Sequence, residues 1–285
     1  MKELLSPKQV ATSIGVSESS LKRWCDQGVI STERTPGGHR RIRLGEVLRF
    51  LREQQHPLTQ PEVLGLPVGT GTGPRSIEKA REPLLSFLSE GKPEQARRVL
   101  IDLFLAGNTL VRICEELITP VLYEVGDNWQ CGRLEIYQEH RACEILNRVL
   151  YDLRAILPPP EPGSLRAMGG TPVGDNYRLA TLMVELVLVD AGWNATSLGS
   201  SLPFETLISA ANKHQPELFW LSYSNVDDAA QQTTELAEFL AATPASMQVV
   251  IGGQQLPREL PASPRLHPCQ SLRELRQVIS QLRSS

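Results

Sequence analysis

WQCGRLEIYQEH, Trp129 to His140, is the segment on which the chain is read: a Trp and a Glu-His pair with nine residues between them. Standing alone, a loop Trp is a surface anchor or a core plug, and a helical Glu-His pair is a solvated face. The surroundings change that weight. Upstream, a compact basic segment ends in Thr35-Pro36-Gly37-Gly38-His39-Arg40-Arg41. Downstream, strand and helix alternate and carry Gly174-Asp175-Asn176-Tyr177, Ser222-Tyr223-Ser224 and Gly252-Gly253.

At 285 residues the chain suggests two or three units, and its hydrophobic content is ordinary enough to bury real cores. No apolar run reaches membrane-spanning length, and residues 1–20 lack a signal-peptide pattern. The five cysteines (25, 114, 131, 143 and 269) are scattered, with no Cys-x-x-Cys. That argues against a disulfide framework and a structural zinc site, and for a reduced, cytoplasmic protein. Residues 1–60 hold ten Lys/Arg against six Asp/Glu, whereas the whole chain carries a formal charge of −3. A basic head on an acidic body suits double-stranded DNA at one end.

In the head, Ser6-Pro7 opens a helix, Gly15-Val16 makes a turn, and Ser17 caps a second helix with Leu21 and Trp24 inward. This is helix-turn-helix spacing, and the second helix presents Ser19, Lys22 and Arg23 outward to a major groove. Thr35 to His39 forms a hairpin tip, and Arg40-Arg41-Ile42-Arg43 alternates as a strand; His39, Arg40 and Arg41 are candidate phosphate contacts with no packing role. A helix from Leu44 to about Glu53 closes the unit. The bland alternative is a helical protein-interaction module with a basic face. The linked motifs Ser17–Trp24 and Thr35–Arg41 resemble the winged helix-turn-helix of the MerR family over about residues 4–54. Members of that family usually dimerise through a long helix after the wing. Here the pattern breaks at His56-Pro57, and residues 57–76 read as a flexible Pro/Gly/Thr-rich linker, so the head (1–56) is expected to reorient freely.

Residues 77–160 show helical periodicity without strand signals. Helices are expected at Ile77–Ser89, Pro93–Ala106, Thr109–Val125 and Leu134–Leu157, an up-down four-helix bundle. Residues 161–285 alternate strand and helix. Strands are expected at Leu165–Gly169, Ala195–Leu198, Leu218–Ser224, Gln248–Ile251 and near Leu266, giving a doubly wound parallel sheet of flavodoxin-like or Rossmann-like type. Ligands of such sheets sit beyond the carboxyl ends of the strands, where the loops Gly170–Tyr177, Gly199–Leu202, Ser222–Asp227 and Gly252–Leu256 fall.

The bundle pattern resembles the one that caps cobalamin in CarH-type light-dependent repressors, and Trp129, Glu139 and His140 match its Trp and Glu-His positions. The sheet loops resemble the cobalamin-binding domains shared with methionine synthase and methylmalonyl-CoA mutase. That family's pattern is Asp-x-His-x-x-Gly, then Ser-x-Leu, then Gly-Gly. Here it runs Asp175-x-Tyr177-x-x-Ala180, then Ser222-x-Ser224, then Gly252-Gly253. The resemblance implies that a corrinoid is clamped by bundle and sheet, with Gly174 beside Asp175 in the pocket. It also implies that the nucleotide tail passes between strand and helix, where any large side chain would block it.

The departures are chemical. Tyr177 replaces the imidazole that ligates cobalt from below, and Gln130 stands where CarH-type photoreceptors place a second His. An amide is a poor cobalt ligand, and a phenol must first lose a proton, ordinarily near pH ~10. The light-driven bis-His state cannot form, and no metal ligand is assigned. A biliverdin-like bilin, bonded to Cys131 or Cys143, or haem on Tyr177, are the competing chromophores; the bland reading of both thiols is packing. The expected function is a ligand- or light-responsive transcriptional regulator, self-associating to a dimer or tetramer to bind its operator. Two other classes stay open: a corrinoid-dependent enzyme subunit, which lacks any catalytic constellation here, and a ligand-free scaffold for the DNA head.

Overall fold

The computed structural model describes residues 4–224, 229–257 and 259–284. It divides into two compact units, residues 1–158 and 159–285. In the first, β1 (Leu4–Leu5) leads to α1 (Pro7–Ile14) and α2 (Glu18–Asp26). Ser6 and Gln9 form a reciprocal capping box on α1, and Ser17 Oγ accepts the Ser20 amide at 3.1 Å on α2. β2 (Glu33–Arg34) and β1 both pair antiparallel with β3 (Arg40–Arg43), making the wing, and α3 (Leu44–Gln54) follows. Val10, Ile14, Leu21, Ile42, Val47 and Leu48 fill this head, and Trp24 stacks against Phe50 with ring centres 5.0 Å apart.

The expected flexible linker is folded. The amides of Thr59 and Gln60 both donate to Ser13 O, and Pro61–Leu64 makes a 3-10 turn that buries Pro61 and Leu64. Further on, Gly71 and Gly73 donate their amides to the two carboxylate oxygens of Asp102, at 2.5 and 2.9 Å. Arg98 reaches Thr72 Oγ1, and Asn108 Nδ2 donates to Arg75 O. A polar composition conceals this order because the acceptor for the strap amides lies some thirty residues later in the chain. The head also packs on the bundle. Arg52 lies over the Phe104 ring at 4.5 Å and donates to Asn108 O, and Gly45 of α3 abuts the Ile156 carbonyl.

The bundle comprises α4 (Ile77–Glu90), α5 (Pro93–Leu105), a third rod, and α8 (Ile136–Ile156). The rod is α6 (Leu110–Arg112), a π-helical segment Ile113–Ile118, and α7 (Thr119–Gln130). Pro120 lacks an N–H and its ring crowds the carbonyl four residues back; the wider π turn accommodates it. The helix expected to end at Val125 continues to Gln130, so Trp129 is helical and not on a loop. Leu84, Leu88, Leu100, Leu117, Leu146 and Leu150 are fully buried between these helices.

The second unit is a five-stranded parallel sheet in the order β5 (Asn194–Ser197), β4 (Arg166–Gly170), β6 (Leu218–Ser222), β7 (Gln248–Gly252), β8 (Leu266–Cys269). Helices α9 (Arg178–Asp190), α10 (Phe204–His214), α11 (Ala229–Ala242) and α12 (Leu272–Ser284) connect or follow the strands. The doubly wound expectation holds. Phe219, Leu221 and Tyr223 face α10 and α11 with Phe204, Leu236 and Phe239, while Trp220 alternates to the α9 side. β8 is an edge strand and carries Pro268. Of the expected ligand loop Ser222–Asp227, positions 225–227 lie outside the described residues.

Candidate functional site

On the head, Ser19, Lys22 and Arg23 are exposed along α2, and Ser19 Oγ shares a 2.8 Å hydrogen bond with Ser17. His39 is exposed at the wing tip, its amide donating to Thr35 Oγ1. Arg40 departs from expectation. Its guanidinium pairs with Asp26 at 2.7 Å, tying the wing strand to the end of α2, so it has a structural partner as well as charge. Arg41 turns back to donate to the Arg40 carbonyl. Among these candidates, Lys22 and Arg23 are thus the cations most directly presented. Arg23→Ala should weaken binding to duplex DNA and reduce the salt slope of the affinity by about one, read from binding isotherms at several salt concentrations. An unchanged slope would remove α2 from the interface.

Near the α7–α8 connection, Trp129 is 42% exposed, and Ile136 and Tyr137 at the start of α8 are more so. Gln130 and Cys131 are exposed at the end of α7. Glu139 and His140 sit on the first turns of α8, with His140 Nε2 3.5 Å from Glu139 Oε2; the imidazole is largely in solvent and the carboxylate largely shielded. Glu139 Oε1 also accepts from the Cys143 thiol at 3.4 Å. Burial first, and then this carboxylate, push the Cys143 thiol up to about 12. A thiol held neutral is a poor nucleophile, so the geometry opposes covalent attachment there and leaves Cys131 as the accessible thiol. Iodoacetamide at neutral pH should therefore label Cys131 ahead of Cys143 in the folded chain, as peptide mapping would show; the reverse order would contradict this environment.

In the second unit, Asp175 is fully buried, and its carboxylate accepts the amides of Tyr177 and Ser224. Its carbonyl receives Thr171 Oγ1 and the Ser201 amide, and Gly174 N donates to Ser201 Oγ. Asp175 thus knits together the loops that follow β4, β5 and β6. Ser222 is buried, Ser224 half-buried, and Tyr177 is 53% exposed at the start of α9. Gly253 packs on the Tyr223 backbone and Gly252 on the Cys269 carbonyl, while the Tyr223 amide donates to Gly252 O at 2.7 Å. Among the described residues, no group of three or more His, Cys, Asp or Glu could hold a metal ion.

The space between β4, β6 and α9 is occupied. Trp220 is 1% exposed, its Nε1 donates to Thr181 Oγ1 on α9 at 2.8 Å, and its ring lies over Gly169 of the neighbouring strand. Strand-to-helix insertion of a nucleotide tail does not fit this layer. Sequence reasoning missed Trp220 because the motif directs attention to Ser222. The alternation along β6 was the available signal, since Trp220 and Ser222 share a face.

Residues 4–55 match the family model of a helix-turn-helix domain, and residues 80–153 match that of a B12 binding domain. The HTH-type transcriptional repressor CarH of Myxococcus xanthus is 24% identical over 261 residues, spanning 84% of this chain and 85% of its own. The similarity to that repressor runs through both matched domains. Trimethylamine corrinoid protein 1 of Methanosarcina acetivorans is 26% identical over 148 residues, 50% of this chain and 65% of its own. The monomethylamine corrinoid protein of Methanosarcina barkeri superposes with a TM-score of 0.60 at 15% identity, over 73% of this chain and all of that one; it shares the fold. Sequence and fold thus agree on a helix-turn-helix joined to a B12-binding module. No helix among the described residues is long and apolar enough to cross a membrane.

Proposed function

We propose that this chain is a cytoplasmic, DNA-binding transcriptional regulator that senses a cobalamin-type corrinoid. The observation that carries the reading is the joining of a helix-turn-helix head and a B12-binding bundle in one compact unit, with α8 touching both ends of the problem. α8 bears Glu139 and His140 near its start, and its Ile156 carbonyl abuts Gly45 of the head. Its 21 residues span about 30 Å. A ligand that tilts or shifts α8 therefore bears directly on α3, which follows the wing strand β3. Trp129 supplies a flat aromatic surface for a macrocycle, and Glu139 and His140 supply a polar edge for its side-chain amides. When bound, the corrinoid would supply the cobalt and its exchangeable upper ligand. Neither position 177 nor 130 offers an imidazole, so no bis-histidine end state is part of this reading.

Operator binding by a single small head is weak, and the regulator is proposed to act as a dimer or tetramer whose assembly follows ligand state. The test is reconstitution of the full chain with adenosylcobalamin, followed by gel filtration, absorption and DNA binding. The corrinoid should co-elute and change DNA affinity, and Trp129→Ala should weaken its retention by about tenfold or more, the loss of one stacked aromatic. A spectrum, oligomeric state and DNA affinity all indifferent to the corrinoid would leave a DNA head on a ligand-free scaffold.

A further inference from the structure

The α9 side of the sheet carries an inference about how the ligand is recognised, and it rests on the corrinoid reading above. A slot between a strand and a helix needs small side chains on both walls. Here β4 contributes Ala167 and Gly169, which alone would leave such a slot. β6 then closes it from the adjacent position. Gly169 and Trp220 are registered partners across the parallel pair, so the indole lies on the same face and covers the glycine. The indole is anchored at its far end by the Nε1 hydrogen bond to Thr181, itself 1% exposed on α9. Trp220 is itself 1% exposed, so almost none of its surface is open to solvent. Opening the layer would expel a side chain that buries roughly 150–250 Å² and would strip the Thr181 hydroxyl of its donor. Tyr177, at the mouth of the same layer, offers no imidazole to draw the cobalt down and displace the corrinoid's own base.

We propose that the corrinoid taken up by this chain keeps its nucleotide loop outside the sheet unit, so that recognition rests on the macrocycle and its side amides. The nucleotide then contributes little to affinity, and a complete corrinoid stays coordinated by its own base. A chain of this kind reads the upper face of the ring and tolerates different lower nucleotides.

The experiment compares adenosylcobalamin with adenosylcobinamide, which lacks the nucleotide, by titration into the full-length protein. Dissociation constants within about tenfold of each other, a difference below ~1.4 kcal/mol, are expected, and bound adenosylcobalamin should keep its base-on absorption spectrum. A preference for adenosylcobalamin above about tenfold, or conversion to the base-off spectrum on binding, overturns the proposal and leaves the corrinoid reading intact. Binding of neither compound removes the corrinoid reading, and this inference with it.

Discussion

Gly169→Ala should destabilise the sheet unit by about 3 kcal/mol or more, seen as a large fall in the urea midpoint of the full chain. A methyl group at 169 would fall inside van der Waals contact with both the carbonyl and the ring of Trp220. The carbonyl belongs to the central strand β6, hydrogen-bonded on both sides, and cannot retreat without breaking the ladder. The ring cannot retreat without losing Thr181. Pairing the substitution with Trp220→Leu should recover part of the loss by removing the ring clash and leaving the carbonyl one. Wild-type stability in the single variant would mean that the layer is not packed as described.

Asp102→Ala should cost about 2–4 kcal/mol, because two strap amides and the Arg98 guanidinium lose their acceptor in a buried setting. The loss should also have a local signature. The strap, residues 66–76, should become the first site of proteolytic cleavage, giving separate head and bundle fragments on a denaturing gel. Asp102→Asn keeps an acceptor oxygen and should fall between the two. Burial pushes the Asp102 carboxyl above its ordinary value, against the pull of the Gly71 amide and Arg98. Resistance of the Ala variant to strap cleavage would show that other contacts hold this segment.

Much of this architecture could be read from residue patterns. Ser6 and Ser17 announce the two head helices because a hydroxyl before an apolar-periodic run has one strong use. The sheet strands announce themselves through short apolar runs between helical stretches. Local patterns could not show where distant groups meet. The Gly-rich strap reads as loose until Asp102 is known to face it, and Arg40 reads as free until Asp26 is placed beside the wing. Pro120 was visible, but whether a proline breaks, kinks or widens a helix depends on its tertiary neighbours. The candidate ligand residues were legible by resemblance to a motif. Trp220, outside that motif, required the register of β4 against β6.

Pro268 has a bearing on how copies of this chain can meet. It lies in the edge strand β8, where a missing amide and a fixed backbone angle interrupt any hydrogen-bonded ladder that a neighbouring molecule would try to extend. Assembly along that border of the sheet is thereby discouraged, and β5 is left as the sheet's other edge.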